Sequence, residues 1–350
     1  MDNKIPVFLP KEICIAVGRT IELYNNQVCL TAEKYHFQWK CAVGKSMGRK
    51  FSVTATEEML ESSDASLPSG QYPLTLNLYN DDLELCATLS TVIKIVKNKV
   101  RKTKILPIGD SLTNNKPWLA EVIALSEGKI KFLGTRGSLE ISHEGRSGFS
   151  AYGYIHDTKY TFERNYHGSP SVDSEINPFW DGKEFSLAHY MEVQGEYIGG
   201  TPSAISIYLG TNGINLDPTV NSESIKTIVD TILSEYPTVQ IFVCNTIYKG
   251  PQNGYGNAAG FKYEDDMKVF RLMVRLHEIF ADYDNVHLIP IALCHDTEYN
   301  FGWIETPVNP RAEQTEMLPK EAVHPQKQGY LQMADIIFST YAAYLPETDE

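Results

Sequence analysis

Long apolar runs are missing from this sequence. No stretch of about 18 apolar residues occurs in it, which argues against a membrane-spanning helix. The opening Met1-Asp-Asn-Lys-Ile-Pro has neither the basic start nor the apolar core of a secretory signal, so a cytoplasmic location is the default expectation. Closely paired cysteines are absent too. Cys14, Cys29, Cys41, Cys86, Cys244 and Cys294 form no CxxC pattern of a zinc or redox site, and buried free thiols are expected. Four of them fall in the first hundred residues, where disulfides stay open if the protein is exported by another route. Basic charge is scarce, with 31 Lys and Arg against 44 Asp and Glu and a net charge of -13, so nucleic-acid phosphates would be repelled. The one basic cluster, Lys94 to Lys104, is short and reads as a linker. His156, His167 and His189 have neither helical i, i+4 spacing nor a carboxylate partner, and are read as non-metal residues.

What is present divides in two. Up to about residue 96 the chain reads as short strands: 13–17, 21–24, 36–39, 51–54, 72–79 and 88–96, punctuated by Gly18, Asn25-Asn26, Gly44, Ser69-Gly70 and Asp81-Asp82. Such strands with turns between them suggest a small all-β, sandwich-like domain over residues 1–96. Tyr35, Phe37 and Trp39 alternate as one face of a core or half-buried strand. Residues 97–103 form the linker. From 104 to 350 short apolar strands at 104–109, 129–134, 204–210, 239–244 and 286–291 alternate with amphipathic helices. Connections that long imply crossovers and a doubly wound parallel sheet in a three-layer α/β/α fold. Residues 147–201 are too long for an ordinary connection and are rich in aromatics, so they are expected to shape a substrate site.

The chemistry centres on Lys104-Ile-Leu-Pro-Ile-Gly-Asp-Ser-Leu112, a buried strand that breaks at Gly109-Asp110 and delivers Ser111 to its carboxyl end. A serine hydroxyl needs a base for its proton and donors for the oxyanion formed after attack. Four ordered blocks supply such parts: Gly109-Asp-Ser-Leu112, His143-Glu-Gly-Arg-Ser-Gly-Phe149, Leu209-Gly-Thr-Asn212 and Val323-His-Pro325. Together they resemble the SGNH (GDSL) hydrolase superfamily over residues 104 to about 345, with no likeness in the N-terminal β region.

The resemblance implies a flavodoxin-like catalytic domain and a serine esterase that needs no metal or other cofactor. It makes Ser111 the nucleophile, His324 the general base, and the Ser111 N–H, Gly148 N–H and Asn212 amide the oxyanion donors. One departure stands out: the family has an aspartate three residues before its histidine, and here that position is Glu321. Glutamate serves as the third member of some serine triads, and Glu321 is assigned to orient His324, with a backbone carbonyl as the alternative. Asp110 is read chiefly as a hydrogen-bonding member of the turn. With His143, Arg146 and Trp180 it is also a candidate for substrate contact; His143 and Glu144 could equally support the loop, and Arg146 could pair with either. The block His143–Phe149 together with Asn177-Pro-Phe-Trp180 is similar to bacterial esterases that deacetylate polysaccharides, which implies an acylated carbohydrate as substrate, most simply an acetyl ester. The rival is a glycan-binding or assembly protein with a degenerate hydrolase domain, docking or oligomerising through its N-terminal domain. A bacteriophage virion is the alternative location.

Overall fold

The computed structural model describes residues 5–61, 67–115, 117–161, 165–213, 217–250, 263–319 and 322–347. The N-terminal strands are β1 (Glu12–Ala16), β2 (Thr20–Tyr24), β3 (His36–Lys40), β4 (Lys45–Met47), β5 (Lys50–Thr54), β6 (Gln71–Tyr79) and β7 (Leu85–Val96). They form a four-stranded sheet in the order β1-β7-β6-β3 and a three-stranded sheet in the order β2-β5-β4. Period-two alternation buries Tyr72, Leu74, Leu76 and Leu78 of β6 on one face. Trp39 on β3 stacks on Phe51 of β5 at 5.5 Å, which brings the two sheets onto a shared core. The edge strand β4 escapes a hydrophobicity reading because Lys45, Ser46 and Met47 are all exposed.

The second region adds β8 (Thr103–Gly109), β9 (Ile130–Phe132), β10 (Arg136–Gly137), β11 (Ser142–Gly145), β12 (Ala204–Tyr208), β13 (Gln240–Cys244), β14 (Val286–Ile289) and an outlying hairpin of β15 (Trp303–Pro307) and β16 (Thr315–Pro319). In the main sheet β9 and β11 share one side of β8, followed on the other side by β12, β13 and β14, all parallel; β10 joins antiparallel at the edge. The chain is therefore a mixed α/β protein built on a doubly wound parallel sheet. Strand order reverses between β8 and β12, the point where ligand crevices open at the carboxyl ends of strands.

A proline inside a central strand normally costs a ladder bond. Pro107 avoids this by position. β9 pairs with Thr103–Ile105 of β8, and β11 pairs with Ile108 and Gly109. Residues 105 and 109 bond to that side through Leu133 and Arg146, so the missing N–H of Pro107 faces the gap where one neighbour strand gives way to the next. That changeover is also what brings β11 beside the end of β8.

The helices Pro117–Leu125 and Lys327–Tyr344 pack together on one side of the sheet, and Pro218–Glu235 and Tyr263–Ile279 pack together on the other. The helix Lys327–Tyr344 is buried almost all round, including Tyr330, Met333, Ile336, Ile337, Phe338 and Tyr341, because it lies between the main sheet and the N-terminal region. Its second face meets β1, where the Ala16 N–H donates to Ser339 Oγ at 3.0 Å and Arg19 pairs with Asp335 at 3.4 Å. One continuous apolar core consequently runs from Ile13 and Ile15 through this helix to Trp118 and Phe242, and a second fills the opposite side of the sheet around Ile225, Val229 and Leu272.

All six cysteines are free thiols. Among the described residues no helix is long and apolar enough to cross a membrane, and no group of three or more His, Cys, Asp or Glu is arranged to hold a metal ion.

Candidate active site

Ser111 opens a single helical turn, Ser111–Asn114, directly after β8. Asp110 caps that turn, its Oδ1 accepting the Leu112 N–H at 2.9 Å. The elbow is tight: a Cβ on Gly109 would stand 2.1 Å from Thr113 Oγ1, so only glycine fits there. Ser111 keeps 9% of its surface exposed. Its Oγ lies 2.7 Å from His324 Nε2, although 213 positions separate the two residues in the chain. His324 is half-buried on the irregular segment 322–326, between β16 and the helix Lys327–Tyr344. Glu321, expected to orient it, lies outside the described residues.

The second block follows β11. The Arg146 N–H donates to the Gly109 carbonyl at 2.8 Å, and the Phe149 N–H returns to the Arg146 carbonyl at 3.1 Å. In the turn so closed Gly148 has φ +83°, the left-handed conformation that the third residue of a type II turn requires. Asn114 Nδ2 donates to Ser147 Oγ at 3.0 Å and ties this turn to the serine helix. From the end of β12, Asn212 Nδ2 donates to the Phe149 carbonyl at 2.9 Å. Hydrogen bonds thus link the segments that carry Ser111, Gly148 and Asn212 around the reversal of strand order.

Beneath the turn lies a buried charge cluster. Glu144 and Arg146 are fully buried and paired at 2.7 Å. Glu144 Oε1 also accepts from the Thr135 N–H at 2.6 Å, the Thr135 hydroxyl at 2.6 Å and the Tyr190 hydroxyl at 2.7 Å. Burial pushes the Glu144 carboxyl up, yet the Arg146 and Arg136 charges and these donors hold it below its ordinary value. Tyr154 donates to the Gly109 carbonyl at 2.7 Å and also faces that of Glu144.

Three of the four residues expected to contact substrate prove to be interior. Asp110, His143 and Arg146 are fully buried. Asp110 is used as the cap, His143 Nδ1 accepts the Gly145 N–H at 3.0 Å, and Arg146 takes the other reading open to it, pairing with Glu144. Burial also pushes the Asp110 carboxyl up to about 7, against the opposing pull of the Leu112 N–H and Lys249. Trp180 alone stays half-buried, its ring parallel to that of His156 within 10° at 6.5 Å, and His156 stacks on Tyr152 at 3.9 Å. The neighbouring Asn177 is structural, donating to the carbonyls of Tyr154 at 2.8 Å and His156 at 3.0 Å. Thr135, Tyr154 and Tyr190, which hold the turn Arg146–Phe149 from below, carried no sequence signal: each is an ordinary polar or aromatic residue outside the motif blocks.

Neither the family models nor the curated protein sequences give a match. Solved structures do. A family 3 carbohydrate esterase from Clostridium thermocellum is 15% identical over 71% of this chain and 97% of its own, with a TM-score of 0.43. One from Talaromyces cellulolyticus is 15% identical over 71% of this chain and 100% of its own, also at 0.43. A carbohydrate acetylesterase family member from Sinorhizobium meliloti is 11% identical over 70% and 100%, at 0.44. At such identities and scores the likeness carries no weight beside the geometry of Ser111 and His324.

Proposed function

We propose that the chain is a serine esterase of the SGNH type, acting on short acyl esters of a carbohydrate. The observation that carries this reading is the 2.7 Å contact between Ser111 Oγ and His324 Nε2. A hydroxyl within hydrogen-bond reach of an imidazole can give up its proton as it attacks a carbonyl carbon. His324 takes that proton at Nε2 and passes it to the leaving alkoxide, and water then repeats the sequence in reverse roles to release the acid. The oxyanion is received by the N–H groups of Ser111 and Gly148 and by the Asn212 amide, which carries a second N–H beyond the one given to Phe149. Glu321 is the group we assign to orient the imidazole. No cofactor enters this chemistry. Residues 104–350 are read as the catalytic unit, joined through 97–103 to the β region 1–96.

The carbohydrate part of the reading is supported by the parallel rings of Tyr152, His156 and Trp180. Tyr152 is 46% exposed on the helical turn Ala151–Tyr154, four residues after Gly148 in the chain, and its ring is read as the flat apolar face that the C–H face of a sugar requires. The test is release of nitrophenol or acetate from an aryl acetate, and of acetate from acetylated oligosaccharides, by wild type beside Ser111→Ala and Glu321→Ala. Serine-dependent turnover is expected, with sugar acetates preferred. Equal rates for wild type and Ser111→Ala on every ester would overturn the reading.

A further inference from the structure

His324 has no helix or strand of its own, so its position must be set by what packs around residues 322–326. Resting on the esterase reading above, we infer that Arg49, on the turn between β4 and β5 of the N-terminal region, is a positioning residue for His324, acting through Asp296 and Asn300. The links are short. Arg49 grips the Asp296 carboxylate with both ends of its guanidinium, Nη1 to Oδ1 at 3.2 Å and Nη2 to Oδ2, and reaches Glu298 at 3.1 Å. Asp296 Oδ1 accepts the N–H groups of Glu298 at 2.9 Å and Tyr299 at 3.2 Å, and the Asn300 N–H closes the turn onto the Asp296 carbonyl at 3.2 Å. The Asn300 carbonyl then accepts the Gln326 N–H at 2.7 Å, two residues beyond His324.

A parallel link stiffens this path. Gln332 Oε1 accepts from the Asp296 N–H at 2.8 Å and from Asn300 Nδ2 at 2.6 Å, while its Nε2 donates to the Tyr24 hydroxyl of β2 at 2.8 Å. Gln27 donates to the His295 carbonyl. There is no slack between the segment 295–300 and the histidine segment, because a Cβ on Gly329 would stand 2.6 Å from Pro325 and 2.9 Å from Asn300 and His295. A planar, two-pronged grip fixes direction as well as distance, which a lysine cannot do. The N-terminal region is on this account part of the machinery that aims the base, rather than a module carried beside it.

The experiment uses the full chain with Arg49→Met, Arg49→Lys and the isosteric Asp296→Asn. Three things are measured: kcat and KM on a soluble aryl acetate, the rate at which a fluorophosphonate labels Ser111, and hydrogen exchange of the Gln326 amide. Misplacing a catalytic group by a fraction of an ångström should lower kcat and the labelling rate by roughly ten- to a hundredfold. KM and the folded fraction should stay near wild type, Gln326 should exchange faster, and Arg49→Lys should recover little. If Arg49→Met does not fold, Asp296→Asn carries the same expectations. Unchanged kcat and unchanged Gln326 exchange in the folded variants would overturn the positioning role while leaving the esterase intact. Wild type that neither turns over nor labels at Ser111 would overturn both.

Discussion

The two sides of the candidate site are held in opposite ways. On the serine side, Ser111 and Gly148 follow adjacent parallel strands, and the turn that carries Gly148 rests on Glu144 and Arg146, both fully buried. On the histidine side, His324 stands on irregular backbone braced by Arg49, whose side chain is 38% exposed, and by Asp296 at 11%. A fully buried charge is costly to strand without a partner, whereas Arg49 keeps 38% of its side chain in water when its partner is lost. Damage on the serine side should therefore appear first as lost folding, and damage on the histidine side as lost chemistry.

The largest effect expected falls where the two sides meet. Ser111→Ala should lower kcat by about 10⁴- to 10⁶-fold with little change in melting temperature, measured by turnover beside calorimetry. Next is Arg146→Met, which leaves Glu144 buried without its main counter-charge and should cost about 3–5 kcal/mol in denaturant unfolding. The sign with pH follows from the depressed carboxyl: the pair's contribution is present above the unfolded-state value and is lost as pH falls through the folded one. The deficit of Arg146→Met relative to wild type should accordingly narrow in acid. A deficit that is flat with pH would remove the charge pair from the comparison.

Asn212→Ala should lower kcat by about 10²- to 10³-fold at nearly constant KM, as loss of one oxyanion donor does. A rise in KM with kcat intact would make Asn212 a substrate-binding residue instead. The last prediction concerns Asp110 and touches stability alone. Its carboxyl is raised to about 7 in the fold, so ionising it costs stability as pH climbs from the unfolded-state value through that point. Asp110→Asn should gain stability relative to wild type at pH above that window and not below it. Equal differences at both ends would show that burial of the charge is not what matters there.

Much of this was legible in the sequence. The five apolar strands announced a parallel sheet because both of its faces are covered, and the Gly109-Asp110-Ser111 break marked the elbow. What escaped was structure made of polar residues. Ser142–Gly145 is a strand whose buried charges are matched by Arg136, Tyr190 and Thr135 from elsewhere in the chain, and no local pattern signals that. The helix Leu187–Ile198 buries Gln194 and Gly195 in its stripe and so blurs its own period. The helix 218–235 begins after Asp217, which caps it by accepting the Thr219 N–H at 2.8 Å, well ahead of the apolar stripe that starts at Ile225; the Asp-Pro pair marks that start. Arg49 and Asp296 are 247 positions apart, beyond the reach of any periodicity.

The helix Lys327–Tyr344, pressed between the main sheet and β1, has a consequence for how the protein is made. Residues 12–96 emerge from the ribosome well before the helix that covers β1. It is translated roughly 230 residues later, which at about 5–20 residues per second is a wait on the order of ten to fifty seconds. For that interval the nascent sheets carry an uncovered face that includes Ile13 and Ile15, and synthesis in a cell short of chaperones should lose protein to aggregation before the last helix arrives.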